Sequence, residues 1–141
     1  MADDPFALQR FVTAQEPVWD DVLDELRTGR KQTHWMWFVF PQLMALGRSS
    51  MARHYGLSGL EEAKAYVAHP VLGPRLVECC RLLLQLQGHD PVAIFGPVDA
   101  MKLRSCLTLF AEAAPAEVVF REGLAKYYGG NPDPLTAAAL R

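Results

Sequence analysis

The sequence lacks the features of exported, disulfide-bonded and membrane-spanning proteins. Its 141 residues include three cysteines, Cys79, Cys80 and Cys106, with no CxxC pair, so a secreted disulfide framework is not expected. No apolar run approaches the roughly 18 residues needed to cross a bilayer. The N-terminus, MADDPFALQR, is acidic where a secretory signal would be basic and then apolar. These absences predict a cytoplasmic protein that does not interact with a membrane.

The sequence also lacks the spacings that bind metals, phosphates and nucleic acids. No glycine-rich loop of the P-loop or Rossmann type is present. No HExxH or Cys–His zinc pattern includes any of the four histidines, which are His34, His54, His69 and His89. We therefore predict no metal and no cofactor. The net charge of -2 and the isoelectric point of about 6.1 argue against a surface devoted to nucleic acid.

Strand signals are nearly absent, whereas helix signals recur along the chain. No Asn-Gly or Asp-Gly turn joins two alternating β-branched runs, so no hairpin is expected. Half of the residues are hydrophobic, which argues against disorder. Predicted helix boundaries include a stop at Gly29, Ser58 and Glu61 in capping-box spacing, and the caps Asp90 and Asp133. The sequence predicts an all-α protein: a single compact multihelical domain of about seven to nine helices over residues 1–141, with its core over about 6–140.

The run WMWFVF, residues 35–40, is the most apolar feature near a cluster of basic residues. Periodicity does not separate a buried strand from a buried helix in so short a run. A strand would need partners, and no other segment offers one, so we interpret the run as helix. Six apolar residues in a row would form a large exposed patch if they faced water. We expect most of them to be buried, with at least one tryptophan lining a cavity.

Four segments together resemble one bacterial family. They are RFVTAQ (10–15), ELRTGRKQTHWMWFVFPQL (25–43), YGLSGLEEAKAYVAHPVLGPRL (55–76) and IFGPVDAMKLRSCLTLF (94–110). They look like the domain-of-unknown-function family numbered 1810, whose members are single all-helical domains. The resemblance implies a fold and supplies no catalytic residues. Members are sometimes labelled calpastatin, but calpain inhibitors of that type are long, polar and disordered until bound, unlike this apolar chain.

The charge pattern indicates where a ligand could bind. No Asp or Glu occurs between residues 26 and 60. An acidic block precedes this window and consists of Glu16, Asp20, Asp21, Asp24 and Glu25. The window contains Arg27, Arg30, Lys31, His34, Arg48, Arg53 and His54. One interpretation is a positive cleft for a phosphate or carboxylate, in which Trp35 or Trp37 stacks on a planar group. The alternative is that the acidic helix pairs with its basic neighbour and that the tryptophans are core residues.

The segment 97–113 predicts a second part of the same site. Its apolar residues cover most of the helix surface, which is typical of a buried helix. They are Leu103, Cys106, Leu107 and Phe110 on one face and Val98, Met101 and Leu109 on much of the other. Asp99 and Lys102 are spaced i,i+3 and can pair. Either they form a structural ion pair, or they face a cleft beside residues 29–43.

Catalytic patterns are sparse. His34 is the best candidate for a general base, because it lies between basic residues and aromatic ones, and Asp99 could orient it or a lysine. Ser105 and Cys106 lack the surroundings of a known nucleophile. We expect Arg30, Lys31, His34, Trp35, Trp37 and Lys102 to bind the ligand around one pocket.

Two functions remain open from the sequence. The first is binding of a small anionic, nucleotide-like ligand, with or without catalysis. The second is a protein–protein interaction or homodimer formed through an exposed 35–40 aromatic patch. Burial of that patch distinguishes them, because an enclosed basic pocket supports the first function and a flat exposed patch supports the second.

Overall fold

The computed structural model describes residues 3–140, and this part of the chain is all-α, as the sequence predicts. Within it, nine α-helices and two 3-10 turns form the regular structure, and the backbone pairing is limited to an isolated bridge between Leu43 and Leu57. The helices are α1 (Gln9–Gln15), α2 (Trp19–Thr28), α3 (Met36–Val39), α4 (Ser50–Tyr55), α5 (Leu60–Ala68), α6 (Leu72–Gln85), α7 (Pro91–Ala113), α8 (Val119–Tyr128) and α9 (Pro134–Ala139).

Helix α7 lies at the centre of the packing, in contact with α5, α8 and α9. Helix α6 contacts α2, α5 and α8 and completes the arrangement around one hydrophobic core. The face of α7 formed by Leu103, Cys106, Leu107 and Phe110 is fully buried or nearly so. The prediction that residues 97–113 run through the interior is therefore confirmed for that face. Such burial of apolar surface is the main favourable contribution to folding.

The start of the other face of α7 corrects a prediction. Val98 is 65% exposed and Met101 is 72% exposed, although the apolar pattern suggested burial nearly all round, whereas Leu109 on the same face is fully buried. The reason lies at Gly96, where the backbone leaves the helical region with φ 80° and ψ 166°. This conformation favours glycine, and Pro97 follows it as a good first residue of a new helix. The start of that second helix lies at the surface.

Most predicted helix boundaries are confirmed. Carboxylate oxygens of Asp90 and Asp133 accept hydrogen bonds from the N–H groups of Val92 at 2.9 Å and Thr136 at 2.9 Å. Gly29 ends α2 in the left-handed conformation. The predicted capping box at the start of α5 is wrong. Its N-cap is Gly59, without a side-chain cap, and the Ser58 N–H donates to Glu62 Oε1 at 2.8 Å instead.

The aromatic run 35–40 is mostly buried, as expected. Trp35 is fully buried, Met36, Phe38, Val39 and Phe40 are each no more than 7% exposed, and Trp37 is partly exposed. The run contains the short helix α3, which packs against α1 and α4. Since five of its six side chains point into the core, the run forms no flat aromatic patch on the surface. For the alternative of a protein–protein interaction or homodimer through this patch, the run offers only the partly exposed Trp37.

None of the helices formed by residues 3–140 is long and apolar enough to cross a membrane.

Candidate functional site

The buried carboxylate of Glu25 holds the loop that follows α2. Its Oε1 accepts hydrogen bonds from the N–H groups of Gln32 at 2.6 Å and Thr33 at 2.9 Å, and from the indole N–H of Trp35 at 3.1 Å. Its Oε2 accepts from the Thr33 hydroxyl at 2.7 Å. Charge-assisted hydrogen bonds of this kind are the strong ones in proteins. One side chain of α2 thus fixes the basic loop 29–34 and the first tryptophan.

The environment of Glu25 acts on its pKa in two directions. Burial raises the pKa, but the hydrogen bonds from Gln32, Thr33 and Trp35 together outweigh burial, so the pKa of Glu25 lies below its usual value. The sequence interpretation missed this role, because it grouped Glu25 with the acidic block. A signal was present: Val22, Glu25 and Leu26 share one face of α2, and both apolar neighbours are fully buried.

Lys31 connects this loop to α7. Its backbone N–H donates to the Ile94 carbonyl at 2.8 Å. Its ammonium lies 3.0 Å from Asp99 Oδ2, donates to the Thr33 carbonyl at 2.6 Å, and lies 5.0 Å from the centre of the Trp35 ring. The side chain is 7% exposed. Lys31 is therefore enclosed by the partners that a buried ammonium needs.

Lys102 approaches the same carboxylate from the other side. Its ammonium lies 3.5 Å from Asp99 Oδ1 and 5.1 Å from the centre of the Trp37 ring. The side chain is 22% exposed. Two ammonium groups thus share one carboxylate, and the Lys31–Asp99–Lys102 cluster carries a net charge of +1. Lys31 has the shorter ion pair and an additional carbonyl partner, so Lys102 is the less completely paired of the two lysines.

A surface groove opens beside Lys102. Its volume is about 250 Å³, just below the range of drug-sized ligand sites. It is lined by Gln42, Leu46, Val98, Met101, Lys102, Ser105, Asp133 and Leu135. We call it the Lys102 groove. A smaller depression shares Gln42 and Lys102 with it, is bordered by Trp37 and Tyr55, and has room for about one water molecule.

The structure brings together only part of the site predicted from the sequence. Lys31, Trp35, Trp37, Asp99 and Lys102 form one contiguous cluster. Arg30 and His34 are exposed, and within residues 3–140 their side chains make no hydrogen bond or ion pair. Asp99 is engaged by the two lysines and does not orient His34.

Trp35 needs a correction as a ligand-binding residue. It is fully buried, donates its indole N–H to Glu25, and packs near Phe40 and Phe95. A ligand in a surface groove does not reach it. The tryptophan at the site is Trp37, which borders the small depression next to Lys102. The physical reason is the direction of α3, which turns Trp35 inward and leaves Trp37 at the boundary.

The two candidate nucleophiles in α7, Ser105 and Cys106, are hydrogen-bonded within the helix or buried. The Ser105 hydroxyl donates to the Met101 carbonyl at 3.2 Å, a common arrangement within a helix. Cys106 is fully buried, and burial raises its pKa well above the usual range, so the thiolate is strongly disfavoured. Neither residue is prepared for covalent chemistry in this arrangement.

A second polar contact was not foreseen. The Arg10 guanidinium lies 2.9 Å from Glu62 Oε2 and donates to the carbonyls of His54 at 3.0 Å and Gly56 at 3.3 Å. It thereby fixes the end of α4 beside the small depression, to which Tyr55 and Gly56 contribute. The partners are more than 40 residues from Arg10 in the sequence, and no local pattern indicates contacts of such length.

Comparison with known proteins gives similarity without a described activity. The model of a family described as "Protein of unknown function (DUF1810)" matches residues 5–140. A solved structure, that of the conserved hypothetical protein Rv1873 from Mycobacterium tuberculosis, is 58% identical and has a TM-score of 0.95. The match covers 97% of this chain and 98% of that chain. No curated protein matches the sequence.

Proposed function

The chain belongs to the DUF1810 family, and because membership brings no known activity, we propose a function from the geometry: binding of a small anion by Lys102. The observation that carries the proposal is the shared carboxylate. Asp99 compensates one positive charge, while Lys31 and Lys102 supply two. Lys102, which has the longer ion pair, lines the Lys102 groove, and the other charged side chain of its lining, Asp133, is engaged by the N–H and hydroxyl of Thr136. An anion entering the groove would give Lys102 a second partner.

The location of Lys102 strengthens an ion pair with a bound anion. Its side chain is partly shielded from water, so an ion pair there is less screened than one between fully exposed groups. The side-chain amide of Gln42 also lines the groove and offers a group that can donate hydrogen bonds. His34 makes no hydrogen bond within residues 3–140, so the proposal is limited to binding and includes no catalytic step.

The support for a nucleotide-like ligand is weaker than the sequence suggested. Trp35 is buried, and the Lys102 ammonium already lies over the ring of Trp37. A base that stacked on that face of Trp37 would have to displace Lys102, which is the group expected to hold the anion. We therefore propose an anionic group as the recognised feature and treat a planar base as one arm of the test.

The test compares two lysines with the same local geometry. Lys102 and Lys64 each lie 3.5 Å from a carboxylate three residues earlier, Asp99 and Glu61 respectively. Only Lys102 borders the groove, whereas Lys64 and Glu61 are largely exposed. Lys102→Met and Lys64→Met therefore remove the same charge from matched pairs, and both methionines keep the aliphatic part of the side chain.

The measurement is titration calorimetry with inorganic phosphate and AMP, supported by thermal shifts, since a ligand of the native state raises apparent stability. We expect phosphate to bind the wild type and Lys64→Met equally. Lys102→Met should bind about tenfold more weakly or not at all, because a hydrogen bond to a charged group contributes about 1.5–3 kcal/mol. Asp99→Asn should bind phosphate more tightly, because it removes the competing carboxylate. Equal binding by all four proteins would refute the proposal.

A further inference from the structure

The three most exposed large apolar side chains within residues 3–140 all line one groove. Leu135 is 68% exposed, beside Val98 and Met101 at 65% and 72%, and all three border the Lys102 groove. Single exposed apolar residues are ordinary on protein surfaces, but contiguous ones mark sites of interaction. Two different helices contribute to this rim, since Leu135 lies in α9 and the other two lie in α7.

The apolar rim is rigidly supported. The second part of α7 is anchored by its buried face, and the amide N–H of Asp133 donates to the Thr108 hydroxyl at 2.8 Å, which fixes the start of α9 against α7. The Arg104 guanidinium donates to the carbonyls of Asn131 at 3.1 Å and Pro132 at 3.0 Å and fixes the preceding turn. The separation between α7 and α9, which forms the groove, is thus set by hydrogen bonds.

We propose that the anion bound by Lys102 is the head group of an amphipathic molecule with a short aliphatic chain. Its carboxylate or phosphate lies against Lys102, and its chain lies over Val98, Met101 and Leu135. This inference rests on the function proposed above and names the class of ligand. The residual positive charge selects the head group, and the apolar rim selects the chain.

The size of the groove sets the length of the chain. The groove has a volume of about 250 Å³, below the roughly 300 Å³ at which sites for drug-sized ligands begin. A carboxylate with about six to eight carbons is of that order, whereas a drug-sized ligand needs more room. The groove also lacks a surrounding flat apolar surface of the kind that covers a protein partner, since Lys102, Gln42 and Asp133 interrupt it. A small ligand is therefore the occupant to which we commit.

The first experiment varies chain length at constant head group. Butyrate, hexanoate and octanoate are titrated into the protein by calorimetry at concentrations below micelle formation, with 1-octanol as a neutral control. Burial of a methylene contributes about fourfold in affinity when complete, so we expect about two- to fourfold per CH₂ in this open groove. The gain should level off near eight carbons. Octanol should bind at least about tenfold more weakly than octanoate, because it offers Lys102 no charge.

The second experiment varies the rim. Val98→Ser and Met101→Ser alter exposed side chains, so neither should prevent folding. We expect each to reduce the affinity for octanoate several-fold and to leave the affinity for inorganic phosphate unchanged. Val118→Ser is the matched control, because Val118 is also an exposed valine and does not line the groove. It should change neither affinity.

The outcomes separate this inference from the proposal on which it rests. If phosphate binds through Lys102 but affinity does not depend on chain length, the amphipathic ligand is refuted and anion binding stands. A chain-length dependence that persists in both Val98→Ser and Met101→Ser would place the chain elsewhere and also refute the inference. Failure of every anion to bind refutes both. Sedimentation that shows a dimer dispersed by Met101→Ser would instead identify a second copy of the chain as the occupant of the rim.

Discussion

Two tryptophan–lysine pairs share Asp99, and they differ in how much water reaches them. Lys31 and Trp35 form the inner pair, with the lysine 7% exposed and the tryptophan fully buried. Lys102 and Trp37 form the outer pair, which is partly exposed, and its lysine lines the Lys102 groove. The ammonium-to-ring distances are nearly equal, 5.0 Å and 5.1 Å. The residue types and the ring distances are therefore the same in both pairs, whereas the burial and the number of partners differ.

The comparison indicates why one pair is structural and the other is available to a ligand. The inner lysine has three interactions: the carboxylate, the Thr33 carbonyl and the Trp35 ring. A charged group that water does not reach needs such a full set of partners. The outer lysine has the longer ion pair and one ring, and it keeps access to solvent. This incomplete pairing is tolerated because water hydrates the ammonium of Lys102 until a ligand displaces that water.

The largest expected difference between the pairs concerns the tryptophans. Trp35→Ala should lower the free energy of unfolding by about 3–5 kcal/mol, because it opens a cavity in the core and leaves Glu25 without one donor. Trp37→Ala should cost about 1–2 kcal/mol, since part of its ring already faces water. Urea melts followed by circular dichroism measure both values. Equal costs would show that burial does not separate the two pairs.

The next effect concerns the carboxylate that positions the inner pair. Because its pKa is lowered in the folded state, Glu25 contributes stability above its ordinary pKa of 4.5 and loses that contribution as pH falls through the folded value. Glu25→Gln should therefore cost about 2–3 kcal/mol at pH 7, the worth of hydrogen bonds to a charged acceptor. The difference from wild type should shrink when urea melts are repeated at lower pH. A cost that is the same at pH 7 and at pH 3 would contradict the role assigned to Glu25.

The smallest expected effects on the free energy of unfolding are those of substituting three lysines. Lys31→Met should lower the free energy of unfolding by about 1–2 kcal/mol, because it leaves Asp99 with only its longer ion pair. Lys102→Met should cost less than about 1 kcal/mol, and Lys64→Met, in an exposed pair, no more than a few tenths. Urea melts at low salt provide the order. If Lys102→Met proves the most destabilising of the three, the outer pair is structural and its availability to a ligand is in doubt.

Local patterns in the sequence predicted the helices and the core well. Caps at Asp90 and Asp133 and the stop at Gly29 depend on residues within one turn, so they could be identified without the fold. The inward direction of most of residues 35–40 followed from their composition. The capping box at Ser58 failed because Glu62, one residue beyond the expected partner, accepts that backbone hydrogen bond.

The candidate site was harder to predict, because distant segments meet there. The proximity of Lys31 to Asp99 spans 68 residues and depends on the packing of the loop 29–34 against α7. The window without Asp or Glu indicated positive charge, but it did not indicate which basic side chains would form buried ion pairs. Arg30 and His34 lie in the same loop as Lys31 and point to solvent. The exposure of Val98 and Met101 depended on the break at Gly96, which periodicity alone does not predict.

The break at Gly96 also affects how fast the hydrogen bond between Lys31 and Ile94 opens. The joint at Gly96 interrupts the helix, so residues 91–95 are held mainly by the buried side chains of Ile94 and Phe95, whereas residues 97–113 carry the longer buried face of α7. The amide N–H of Lys31 donates to the Ile94 carbonyl, so its protection depends on the shorter segment. Its hydrogen should exchange with solvent faster than that of Leu107, which is released only when the whole molecule unfolds.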